Sequence, residues 1–137
     1  MQVVLDTNVL VSALLFKGRL FRIFEAIEYR ELTLCFTETT FSEFASVMQR
    51  SKFERTLRHR VLSSGDIIQF IRQRARIVPT PPRLPTVIVE DSADNHILSA
   101  AAVCKARCIV SGDIHITRLG LFGDIPILTP LQFLAML

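Results

Sequence analysis

Val3-Val4-Leu5-Asp6-Thr7-Asn8-Val9-Leu10 is the stretch from which the fold can be read. Three aliphatic residues in succession end at a carboxylate. A short continuous apolar run suits a strand buried on both faces, the situation of a strand in a parallel sheet. Beyond Asp6 the apolar residues Leu10, Leu14 and Leu15 recur at helical spacing, so the strand passes directly into a helix. An acid at that junction stands at the carboxyl end of the strand, where open α/β sheets bind their ligands.

The same cadence continues along the chain. A second helix is expected over residues 20–29, with Leu20, Ile23, Phe24 and Ile27 on one face, and a strand over residues 32–36. Thr40 is the expected cap of a third helix, whose Phe41, Phe44, Ala45 and Met48 form an inward stripe. Ser64 is the expected cap of the next, which carries Ile67, Ile68, Ile71 and Ala75. Ile77-Val78 reads as a short strand. Pro79, Pro81, Pro82 and Pro85 then make a loop, because proline lacks the N–H that helices and central strands need. Asp94 opens a helix with Ile97, Leu98, Ala101 and Ala102 inward. Cys108-Ile109-Val110 is a strand stopped by Ser111-Gly112-Asp113. Residues 125–128 form the last strand, and Thr129-Pro130 starts a terminal helix with a hydroxyl cap and proline at the first helical position. Strands alternating with helices imply an α/β fold with a central parallel sheet covered on both faces.

The chain has 137 residues, half of them hydrophobic, which fits one domain over residues 1–137 with a core of its own. A net charge of +3 is compatible with a polyanionic partner but does not require one. The cysteines Cys35, Cys104 and Cys108 are odd in number and match no disulfide or zinc pattern, so all three are expected to be reduced core residues. Cys104 and Cys108 are spaced to meet across a helix end. The apolar stretch at residues 9–16 is too short to span a bilayer, and Asp6 interrupts any leader-like run. These features suggest a cytoplasmic protein with no membrane association.

Asp6 and Asp113 each follow an apolar strand and are expected at the same sheet edge. Glu43 lies beside the apolar stripe of the third helix, and Asp94 in the first turn of its own helix. Each has an ordinary structural role available: Asp94 favours the helix dipole, Glu43 suits a solvated surface, and Asp113 suits a turn after Gly112. Gathered in one cleft, however, four carboxylates would repel one another and oppose folding. A divalent cation relieves that repulsion. Mg²⁺ and Mn²⁺ take oxygen ligands and bridge phosphate oxygens, the combination that phosphodiester hydrolysis uses.

Leu5-Asp6-Thr7-Asn8-Val9-Leu10-Val11-Ser12-Ala13-Leu14 resembles the opening motif of PIN domains. More narrowly, it resembles a prokaryotic group of toxin components of toxin–antitoxin systems. Glu43-Phe44 with Val47-Met48-Gln49-Arg50-Ser51-Lys52-Phe53 resembles the acidic helix of that group. Asp91-Ser92-Ala93-Asp94-Asn95 resembles its Asp-x-x-Asp-Asn motif, and Ile109-Val110-Ser111-Gly112-Asp113 and Ile127-Leu128-Thr129-Pro130 its last two strand motifs. The five motifs run through the whole chain in order. The resemblance implies a three-layer α/β/α PIN-like fold and a Mg²⁺- or Mn²⁺-dependent endoribonuclease, often of the VapC type. It implies metal-binding and catalytic acids at Asp6, Glu43, Asp94 and Asp113, with Asn8 and Asp91 supporting. It also implies an RNA substrate, an antitoxin partner and a homodimer or higher homo-oligomer. One position departs from the pattern: where the group reads Gly-Asp-x-Asp, this chain has Gly112-Asp113-Ile114-His115, so an auxiliary carboxylate is missing and a second metal ion is in question.

Arg50, Lys52, Arg55, Arg58, His59 and Arg60 cluster after the third helix, and Arg72, Arg74 and Arg76 follow the next. They suit either an RNA backbone or a solvated helix face. Two alternatives stand beside the nuclease: a non-catalytic PIN scaffold that binds RNA or protein, and a Mg²⁺-dependent phosphohydrolase of another α/β family. Against the latter, the haloacid-dehalogenase pattern needs a second Asp where Asn8 stands, and a receiver needs paired early acids and a late Lys.

Overall fold

The computed structural model describes residues 1–16, 18–58, 63–83, 85 and 92–137. β1 (Gln2–Leu5) runs into α1 (Thr7–Leu15) with only Asp6 between them; α2 (Phe21–Glu28) leads to β2 (Thr33–Thr37). Then come α3 (Glu38–Met48), α4 (Ser51–Arg58), α5 (Ser64–Gln73) and β3 (Ala75–Val78). α6 (Ser92–Cys104) precedes β4 (Cys108–Val110), followed by α7 (Ile114–Thr117), β5 (Leu121–Phe122), β6 (Ile125–Leu128) and α8 (Pro130–Leu134). The strands form one sheet in the order β3-β2-β1-β4-β6-β5. Every neighbouring pair is parallel except β5 with β6. That pair is a hairpin turned at Gly123, whose φ of 61° is a conformation glycine adopts without a Cβ clash.

Side chains alternate across the sheet with a period of two, and this sorts the core into two layers. Val3, Leu5, Leu34, Phe36, Cys108 and Val110 point to the face covered by α1, α2, α3, α5 and α8. Val4, Cys35, Ile109 and Ile127 point to the other, where Ile97, Leu98 and Ala101 of α6 and Ile116 of α7 meet them. The result is the expected three-layer α/β/α arrangement. The alternation also decides the cysteines. All three are buried, but Cys104 packs on the α6 side beside Cys35, while Cys108 faces the opposite layer. All three are free thiols, as expected, and Cys104 and Cys108 do not use the spacing that would let them meet.

Thr129 caps α8 as expected, whereas the expected caps of α3 and α5 shift by three residues and one. α3 is capped by Thr37, with Thr40 as the third helical residue returning the bond to the Thr37 N–H. α5 is capped by Ser63, with Asp66 in the reciprocal place. In each case two polar side chains three residues apart satisfy each other's backbone donors, and the earlier one is the cap. Of the expected inward stripe of α3, Phe41, Phe44 and Met48 are buried and Ala45 is half-buried. Phe44 sits 6.0 Å from both Phe36 and Phe41. The proline loop has no helix or strand at its described residues; Leu84, His59 and Arg60 lie outside them. Among the described residues no helix is long and apolar enough to cross a membrane.

Candidate active site

β1 and β4 are neighbours in register, with Leu5 opposite Val110. The pairing continues one step beyond the strands, where the Asp6 N–H donates to the Val110 carbonyl at 2.9 Å. Asp6 and Ser111 therefore leave the sheet side by side at its carboxyl edge. Each strand then turns at once into a helix, and the acid at each turn is the cap. Asp6 caps α1 by accepting from the Asn8 N–H at 3.4 Å. Asp113 caps α7 by accepting from the His115 N–H at 2.8 Å. Capping alone accounts for an Asp in either place.

The second oxygen of Asp6 adds something that capping does not explain. It accepts the Ser111 hydroxyl at 2.8 Å, and the same hydroxyl oxygen accepts the Asp113 N–H at 3.0 Å. Ser111 is fully buried, so it ties the two acid-bearing turns together from beneath. Above it opens a cleft of about 460 Å³ lined by Asp6, Asn8, Val9, Ser12, Leu20, Gly112, Asp113 and Pro130. Two half-buried carboxylates, the exposed Asn8 and Ser12 supply its polar side chains. No described cation forms an ion pair with Asp6 or Asp113. Ser111 was read from the sequence only as a strand stop; its role depends on a contact 105 residues away.

The other two expected acids are not among the residues that line this cleft. Glu43 is exposed on α3 and lines a separate depression with Glu38, Thr39, Ser42, Ser46 and Thr80. Asp94 is buried in the first turn of α6, a helix that packs on β1 and β2 and against α3. Among the described residues, no three acids, histidines or cysteines form a group able to hold one ion. Asp91 lies outside the described residues. His115 is exposed on α7, where only its backbone N–H meets Asp113.

The donor set in the cleft suits a hard cation. Mg²⁺ keeps most of its waters and is commonly held by one or two carboxylates together with substrate phosphates. Asp6 and Asp113 meet that requirement, with the Asn8 amide beside them. Tetrahedral nitrogen and sulfur ligation of the zinc kind has no counterpart here.

The family model described as PIN domain matches residues 2–115. No curated protein matches this chain in sequence. Among solved structures, VapBC2 from Rickettsia felis, bound to a DNA fragment from its promoter, contains a chain with the same fold. The TM-score is 0.60 at 18% identity, over 94% of this chain and 98% of that one. FitAcB from Neisseria gonorrhoeae gives a TM-score of 0.57 at 17% identity, over 94% and 98%. FitAB bound to the IR36 DNA fragment gives 0.57 at 17%, over 93% and 94%.

Proposed function

The chain belongs to the PIN domain family, and from that premise we propose that it hydrolyses RNA phosphodiester bonds with Mg²⁺ or Mn²⁺, as the toxin of a toxin–antitoxin pair. PIN domains are in general nucleases. The observation that carries the reading here is the pairing of Asp6 and Asp113 over the buried Ser111 hydroxyl in one cleft at the carboxyl edge of the sheet.

In this reading Asp6 and Asp113 are the direct ligands of the ion. A divalent cation in that place polarises a phosphate and lowers the pKa of a bound water. Ser111 holds one Asp6 oxygen and the Asn8 N–H the other, which fixes the carboxylate plane before any substrate arrives. The Asn8 side chain stands at the cleft wall to orient a phosphate or water. Glu43 and Asp94 would complete the shell directly or through waters and would help orient the attacking water. Asp91 supports them. The fold shared with VapBC2 and FitAB favours an antitoxin partner; self-association is what the family resemblance implies.

RNA cleavage by the pure chain with Mg²⁺ or Mn²⁺, with chelator, and in Asp6→Asn tests the proposal. Cleavage should require the ion and fall to background in the variant. Activity that persists in chelator, or survives Asp6→Asn at the wild-type rate, would remove the metal mechanism. A non-catalytic scaffold is the second reading, favoured by His115 standing where the related pattern has an auxiliary carboxylate. RNA binding without cleavage under all these conditions would establish it.

A further inference from the structure

The amino edge of the sheet, opposite the candidate active site, carries two adjoining clefts that the nuclease reading does not use. One of about 690 Å³ runs from the end of α6 to the β5–β6 hairpin, and one of about 640 Å³ lies over Gln2 and Met136. Lys105 and Arg107 line both and form the ridge between them. A third cation, Arg76, is held against this edge by donating to Gln2 Oε1 at 3.2 Å. Asp124 is the acid in the lining. Neither Lys105 nor Arg107 forms an ion pair with a described residue, and both side chains are exposed.

Two features argue against ordinary surface lysine and arginine. Lys105 ends α6 with φ at 51°, the left-handed place where helices usually put glycine. A side chain is strained there, as it is at Arg30, the other described non-glycine residue with positive φ. Favourable contact with the helix dipole accounts for Lys105 but not for Arg107, which enters β4, nor for Arg76 on β3. The walls between the cations mix polar groups with apolar ones, Phe122 and Ile125 on one side and Met136 on the other. Cations interleaved with apolar and aromatic surface suit a single-stranded nucleic acid, whose phosphates and bases need both.

We propose that the cleft around Lys105 and Arg107 binds the backbone of the RNA strand that flanks the scissile bond. The proposal rests on the nuclease reading for the identity of the strand. β1 joins the two places, with Gln2 at this cleft and Leu5 next to Asp6. At about 3.3 Å per residue that is roughly 13 Å through the buried centre of the sheet, so an RNA strand joins the two places only by passing round a helix layer, over a longer surface path.

The test is fluorescence anisotropy of a labelled single-stranded RNA of about 20 nucleotides, in chelator, from about 50 to about 200 mM salt. The protein is the full chain carrying Asp6→Asn, alone and with Lys105→Ala and Arg107→Ala together. Two lost phosphate contacts should lower the slope of log affinity against log salt by about 1.4, from about 0.7 per contact. The charge-retaining pair Lys105→Arg and Arg107→Lys should restore it. An unchanged slope overturns the proposal. So does an equal fall in the charge-retaining pair with a lowered unfolding midpoint, which marks a structural role. A change in sedimentation of the double variant without RNA would instead make this face an interface between copies, and also overturns it. Because no cleavage is needed, a wild-type chain that fails to cut RNA removes the nuclease reading and leaves this measurement intact.

Discussion

At Asp6, one carboxylate oxygen caps α1 and the other accepts the Ser111 hydroxyl, so substitutions there can separate charge from fold. Asn is as good a cap as Asp. Asp6→Asn should therefore leave the unfolding midpoint nearly unchanged while metal affinity falls, because a neutral amide is a poorer ligand for a hard cation. Asp6→Ala should in addition lose about 1 kcal/mol of stability with the cap. Ser111→Ala is the sharper probe. It leaves both carboxylates in place but removes the link between them, and strands the Asp113 N–H. Losing such a supporting contact typically costs about 10–100-fold in metal affinity or activity. A Ser111→Ala chain that binds Mn²⁺ as the wild type does, by calorimetry, would show that the hydroxyl serves only the fold. His115→Ala should change little. Asp6 and Asp113 were legible as site candidates because each ends an apolar run. Ser111 was not, because nothing local distinguishes a serine that stops a strand from one that joins two acids.

Among the elements, α3 stands to lose stability at its cap. Thr37 is fully buried, and it and Thr40 satisfy each other's backbone N–H groups. Thr37→Ala removes the cap in a place water does not reach, and should cost about 1–2 kcal/mol in chemical denaturation. Ser63→Ala at the exposed start of α5 should cost less. The long apolar strands and the amphipathic helices were readable because burial imposes their periods of two and 3.6. α4, α7 and β5 escaped notice for different reasons. α4 carries Lys52, Arg55 and Arg58 and reads as a charged run. α7 and β5 have four and two residues, too few to display a period. Glu43 marks a further limit. Its position beside the apolar stripe was plain, but which cleft that side of α3 overlooks depends on how the helix is turned on the sheet.

For the molecule as a whole, the buried thiols make stability depend on alkaline pH. Burial, reinforced by Cys104, pushes Cys35 from 9.0 up to about 12, and burial pushes Cys108 up to about 11. The unfolded chain loses these protons near pH 9 while the folded chain keeps them. Between pH 9 and 11 the folded state thus binds more protons, and stability falls as pH rises. Urea midpoints at increasing pH should decline through that window, and decline less steeply in Cys35→Ala with Cys108→Ala; equal slopes would exclude the thiols as the cause. The strand order, with β1 at the middle of the sheet and β4 beside it, has a consequence for biosynthesis. The hydroxyl that joins the two acids is supplied 105 residues after Asp6. Closing a loop of that length costs about 4 kcal/mol of chain entropy on the (3/2)RT ln n scaling. At roughly 5–20 residues per second the ribosome also delays the contact by about 5–20 s. A nascent chain, or one cut short before β4, therefore carries Asp6 without its counterpart, and on the nuclease reading the cell that makes it meets an active enzyme only once β4 and Asp113 have been made.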